Sequence, residues 1–97
     1  MLFVATCTDK PDSMARRLEN RPAHLAHLAS LGARVKLGGA LLTPDQKSVV
    51  GSLIVFEAAD EAEVAALLAD DPYAKAQLFA SVDIKPWRLA VGAPLLA

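Results

Sequence analysis

His24 is the side chain in this sequence best suited to move a proton, because imidazole titrates nearest to neutral pH. At ~100° per residue, His24 falls at the edge of an apolar helical stripe that contains Leu25. An edge position lets a ring look into a cleft between helix and sheet. The competing role is a half-buried histidine bonded to a carbonyl. Arg21, three residues earlier, falls near the middle of the same stripe, an awkward place for a guanidinium. It is explained if Arg21 reaches a carboxylate or an anionic ligand, both of which arginine grips bidentately. Alternatively its stem packs and its head escapes to water. Asp71, in Asp70-Asp71-Pro72-Tyr73, is a loop carboxylate that folding can bring to a histidine. An ionised partner fixes the tautomer and stabilises the imidazolium. A carboxylate before proline also serves as a plain turn or cap residue, and Asp70 competes with it.

Other chemistries lack their parts. His24 and His27 form H-x-x-H without the glutamate or i,i+4 spacing of a helical zinc motif, and Cys7 is a lone sulfur, so no metal site is expected. His27 projects away from the apolar stripe, toward solvent. Gly38-Gly39 lacks the lysine and helix of a phosphate loop, and Ser48, Ser52 and Ser81 have no nucleophile-elbow context. Cys7 reads as packed rather than reactive. Phe79 and Trp87 read as core or interface residues, and no redox cofactor site is visible.

The elements that must position these residues follow a simple order. Leu2 to Thr8 reads as a strand, ended by Asp9-Lys10-Pro11-Asp12. Asp12 or Ser13 can cap a helix carrying Met14, Leu18, Leu25 and Leu28, with Gly32 as its stop. Pro22 is expected to kink this helix or to start a second piece capped by Asn20. Val35 to Leu42 is a strand whose two glycines mark a bulge or a close approach. After the Thr43–Lys47 turn, Ser48 to Glu57 is a strand, Asp60 caps a helix over Glu61–Ala69, and the last strand runs from Leu78 to about Ala90. The β-α-β-β-α-β order predicts a ferredoxin-like domain, α+β, with both helices on one face of an antiparallel sheet.

A chain of 97 residues is one domain, and 54% hydrophobic residues is high for so small a body. The third strand explains part of the excess. Val49, Gly51, Leu53 and Val55 alternate with Val50, Ser52, Ile54 and Phe56, so both faces are largely apolar. The helices cover one face. A second copy of the sheet is the simplest cover for the other, with the loops and apolar tail as the alternative. The net charge of −1 points to neither nucleic acid nor a membrane surface. The first residues do not read as a signal peptide, and a reduced Cys7 fits the cytoplasm.

Several segments together resemble the YciI-like, or YCII-related, family. Arg21-Pro22-Ala23-His24-Leu25 looks like its R-x-x-H-L element, and Gly38-Gly39-Ala40-Leu41 like its small-residue strand. Gly51 to Ala58 is similar to the strand before helix two. Asp71-Pro72-Tyr73, Leu78-Phe79 and Ile84-Lys85-Pro86-Trp87 are similar to its D-P-[YF] and closing strand. The resemblance implies a dimeric α/β barrel with a histidine–aspartate cleft, here His24 and Asp71. It also implies lyase- or dehydrochlorinase-type activity on hydroxylated aromatic rings in some relatives. His27 stands where the family suggests an aromatic residue.

The resulting expectation is a cofactor-independent lyase or isomerase. His24 is its general acid or base, Asp71 the orienting partner, and Arg21 an anchor for an anionic or phenolic substrate. A non-enzymatic ligand-binding dimer and a monooxygenase on the same barrel are the competing readings. The two-faced apolar strand predicts a homodimer in sedimentation at micromolar concentration; a stable compact monomer would remove this expectation.

Overall fold

A computed structural model of the chain describes residues 1–92. Strand β1 (Leu2–Asp9) leads into helix α1 (Met14–Ser30), and a 3₁₀ turn (Gly32–Arg34) leads to β2 (Val35–Leu42). Then follow β3 (Val49–Glu57), α2 (Glu61–Ala69), the four-residue α3 (Pro72–Lys75) and β4 (Phe79–Trp87). The strands form one antiparallel-paired sheet in the order β2-β3-β1-β4, the ferredoxin-like arrangement expected from the sequence.

Register decides which side chains meet. Phe3, Ala5 and Cys7 of β1 pair with Phe56, Ile54 and Ser52 of β3, so these six share the helix-covered face. Phe3, Ala5, Cys7, Ile54 and Phe56 form the core with Leu31, Ala58, Val64 and Leu68. Asp9 extends β1 one residue past the expected end, across an irregularity that pairs it with Phe79. The last strand stops at Trp87 rather than near Ala90. Its neighbour β1 begins at Leu2, opposite Trp87, so the apolar residues beyond have no ladder to join.

Helix α1 is continuous, which corrects the expectation of a break at Pro22. The carbonyl that loses its helical donor belongs to Leu18, a residue 61% exposed, so water can supply the bond. Asn20 caps nothing; its amide donates back to the Arg16 carbonyl at 2.9 Å. Ser13 holds the N-cap position, but its hydroxyl donates to the Pro11 carbonyl at 3.2 Å instead of capping the helix. The buried face of α1 also differs from the expected stripe. Arg17 and His24 are buried, whereas Leu18 and Leu25 are exposed. Gly32, at φ +58°, ends the helix as expected. Helix α2 is capped by Asp60, whose carboxylate accepts the Glu63 N–H at 2.8 Å, while Glu63 accepts the Ala59 N–H at 3.0 Å.

On the helix-free face, Val4, Leu37, Leu53, Val55 and Trp87 share a hollow of about 310 Å³ with Leu89, Val91 and Gly92. The segment after β4 thus lies beside this apolar surface, and Val55 is 3% exposed. Residues 93–97, the end of the apolar tail, lie outside the described residues.

The close approach expected at Gly38-Gly39 is found elsewhere. A Cβ on Gly39 would meet nothing within 4 Å, and one on Gly38 only ordinary contacts, the nearest to Ile54 at 3.5 Å. A Cβ on Gly51 would collide with the Cys7 carbonyl oxygen, a backbone atom that cannot turn aside. Gly51→Ala is therefore expected to cost about 1–3 kcal/mol, the usual scale of overpacking. In thermal unfolding that corresponds to a drop in Tm of roughly 4–24 °C. Gly38→Ala should leave Tm nearly unchanged, and equal Tm values for the two variants would contradict the register.

Candidate active site

Helix α1 and the start of α3 bring together a buried histidine and a buried aspartate. Asp71 is the N-cap of α3, with Pro72 at the first helical position, where its missing N–H costs nothing. One carboxylate oxygen accepts the Tyr73 backbone N–H at 2.9 Å. The same carboxylate faces Nδ1 of His24, with its oxygens at 2.9 and 2.8 Å. The cap role and the histidine-partner role are thus filled by one side chain, and Asp70 takes neither. Asp71 is 1% and His24 7% exposed, so His24 lies deeper than an edge position.

An ionised carboxylate only accepts hydrogen bonds, so Nδ1 carries the proton and a neutral His24 has its lone pair on Nε2. Among the described residues, no fully buried side-chain nitrogen or oxygen lacks a partner. Nε2 bonds to none of them, so it is the ring nitrogen with access to solvent.

Of the remaining parts, Arg17 is the one the sequence reading passed over; Asp9, Ser52, Tyr73 and Phe79 were read in other roles. Arg17 donates to both oxygens of Asp9, at 2.7 and 3.0 Å, and to the Ser52 hydroxyl at 2.8 Å. Its guanidinium carbon sits 4.7 Å from the centre of the Tyr73 ring. The Tyr73 ring stacks on His24, with centroids 3.9 Å apart and planes 13° from parallel, and meets Phe79 edge-on at 6.1 Å. Burial opposes the Arg17 cation, yet hydrogen bonding and charge from Asp9 leave its pKa raised. Burial likewise raises the Tyr73 phenol, against the pull of Arg17 and Arg21, so the hydroxyl stays protonated at neutral pH. Arg17 lies seven residues before His24, two helical turns away on the same face. That spacing was the available signal. Asp9 and Ser52 gave none, since only strand register brings them beneath Arg17.

Arg21 does not reach a carboxylate. It is exposed and makes no ion pair among the described residues. The straight helix puts Arg17 over the sheet and leaves Arg21 at the rim, where its charge is still felt by Tyr73. His27 is not solvated as expected; its Nε2 pairs with the Leu67 carbonyl at 3.0 Å, tying α1 to α2. No group of three His, Cys, Asp or Glu side chains among the described residues could hold a metal ion. None of the described helices is long and apolar enough to cross a membrane.

A four-stranded ferredoxin-like sheet with a histidine–aspartate pair under its helices places the chain in the dimeric α/β barrel fold class. A family model, the YCII-related domain, matches residues 1–88, and the chain belongs to that family. It is 36% identical over 100 residues to protein YciI of Escherichia coli, covering 91% of this chain and 97% of the relative. Protein YciI of Shigella flexneri matches equally, at 36%. Among solved structures, the 5-chloro-2-hydroxyhydroquinone dehydrochlorinase of Burkholderia phenoliruptrix, in complex with 2,5-dihydroxybenzoquinone, superimposes with a TM-score of 0.84 at 36% identity. That match covers 93% of this chain and 96% of the other. A monooxygenase-type protein of Bacteroides thetaiotaomicron, at 14% identity and a TM-score of 0.56, shares the fold alone.

Cys7 lies on the same face, below this cluster, and is 0% exposed. Burial, then the charges of Asp71 and Asp9, push its thiol from 9.0 up to about 12, against the pull of Arg17. The folded chain thus keeps the proton while the unfolded chain releases it. This stabilisation is complete below 9.0 and is lost as pH rises toward about 12. A disulfide reagent at mildly alkaline pH should label Cys7 only as fast as the protein opens, and at once in denaturant. Rapid labelling of the native chain would contradict the burial.

Proposed function

We propose that the protein is a lyase of proton-transfer type, acting on a small hydroxylated aromatic ring, with Nε2 of His24 as its general base. The observation that carries this is the bond from Nδ1 of His24 to Asp71, which leaves Nε2 as the open, basic atom. Asp71 orients the ring and stabilises the imidazolium that forms when Nε2 takes a proton. The likeness to a dehydrochlorinase, over nearly all of both chains, supports a hydroxylated and chlorinated ring as substrate.

The chemistry balances with these parts. Nε2 removes a proton from a ring hydroxyl, and the electron pair moves into the ring. A ring carbon bearing chlorine gains a proton, and the imidazolium is a suitable donor. Chloride then leaves with its bonding pair as a second hydroxyl proton is lost. The products are HCl and a quinone, and no external oxidant enters. Arg21, exposed at the rim with its charge felt by Tyr73, is a donor of the kind a phenolic oxygen needs. The working unit is a homodimer in this reading, the second copy covering the apolar hollow on the helix-free face.

The test is chloride release and quinone absorbance with 5-chloro-2-hydroxyhydroquinone. His24→Ala should lower kcat by about 10²–10⁴, the range for general acid–base catalysis. Asp71→Asn should lower kcat more than it raises KM. Because both side chains are buried, each change should also cost ~1–3 kcal/mol of stability, so rates are measured well below Tm. Turnover by folded His24→Ala at the wild-type rate would reject the base. Tight ring binding without turnover by the wild-type chain would make the protein a ligand-binding module instead.

A further inference from the structure

We propose that the Tyr73 ring, braced by Arg17, is the surface that sets the orientation of the His24 imidazole, making both of them positioning residues. The bond to Asp71 holds one nitrogen of His24 but leaves the ring plane free to tilt about that contact. The stack at 3.9 Å and 13° removes this freedom, because tilting would drive the imidazole into Tyr73 or open a gap. Tyr73 is itself held. Its backbone N–H bonds to Asp71, its edge meets Phe79, and Arg17 lies against its ring.

Arg17 is fixed more firmly than a stacking arginine requires. Two bonds to Asp9 and one to Ser52 lock the guanidinium plane from two strands, β1 and β3. The order of support runs from the sheet through Arg17 to Tyr73 and then to His24. Arg17 therefore acts on His24 through Tyr73, and its influence should vanish when the ring is gone. The alternative is that Asp71 alone orients His24 while Arg17 and Tyr73 only fill the core.

The two are separated by NMR of the His24 Nδ1 proton in the full-length chain, comparing wild type with Tyr73→Phe, Tyr73→Leu, Arg17→Lys and the Tyr73→Leu/Arg17→Lys double variant. Circular dichroism identifies the variants that fold. The proposal expects Tyr73→Phe to keep the wild-type signal, since the ring remains. It expects Tyr73→Leu to speed exchange of this proton by about tenfold, the scale of one aromatic contact. Arg17→Lys keeps the charge opposite Asp9 but loses the planar fork, and should speed exchange by a smaller factor. In the double variant the Arg17 change should add nothing to the Tyr73 change.

An unchanged Nδ1 signal in folded Tyr73→Leu would overturn the proposal, as would additive effects in the double variant. If Tyr73→Leu does not fold, Arg17→Lys decides: faster exchange in a folded chain supports the brace, and wild-type exchange overturns it. The kinetic counterpart rests on the lyase reading, with kcat falling about tenfold in Tyr73→Leu at nearly constant KM. Because the NMR readout needs no substrate, a failure of the lyase reading leaves the test of positioning intact.

Discussion

The carboxylate of Asp71 is the point on which the site depends. It is fully buried, so each of its oxygens must find donors inside the protein. The donors come from two elements: the Tyr73 backbone N–H at the start of α3 and Nδ1 of His24 on α1. Satisfying one buried charge thus fixes the start of a helix, the distance between α1 and α3, and the tautomer of a histidine. Helix α3 has only four residues, too few to hold its place by its own hydrogen bonds. The carboxylate and the buried Tyr73 hold it.

A second buried pair, Asp9 with Arg17, stands beside the first, with side chains 4% and 6% exposed. Buried ion pairs contribute little net stability, because losing water offsets most of the attraction. An apolar pair of the same size would serve the fold at least as well. What an apolar pair would not do is fix a guanidinium plane over an aromatic ring. The polar residues under α1 are therefore better understood as geometry than as glue. Stability comes from the apolar row of Phe3, Ala5, Ile54 and Phe56 against Val64 and Leu68.

Much of this was legible in the sequence. Strands, helices and topology follow from periodicity, Asp60 and Gly32. The pairing of His24 with Asp71 was reached through a histidine near an apolar stripe, a loop carboxylate and a family likeness. The errors share one cause. Weighing each α1 position by hydrophobicity set Arg17 aside and favoured Leu18 and Leu25, yet the buried face of α1 is polar where it meets Asp9, Ser52 and Asp71. A periodicity argument assumes an apolar core and misplaces a helix that covers a site. Pro22 misled for a related reason: on a solvated side, one lost hydrogen bond does not break seventeen residues of helix. Gly51 was hidden among apolar neighbours, because its need for a missing Cβ appears only when the Cys7 carbonyl is set beside it by register.

The same sheet serves two different surroundings, and β1 and β3 show how. Along each strand, alternate residues point to the helices or away from them. Toward the helices the strands carry Phe3, Ala5, Ile54 and Phe56, then Cys7 and Ser52, with Asp9 at the end of β1, so this face runs from apolar to polar along its length. The site sits at the polar end, where α1 and α3 close over it. Away from the helices the strands carry Val4, Leu53 and Val55, which are apolar and line a hollow. Burying a charged cluster on one side of a chain this short leaves less of the core to apolar packing. The large apolar area on the other side is therefore the natural place to recover it, by the segment after β4 or by a second sheet. The composition that first looked excessive for 97 residues follows from that division.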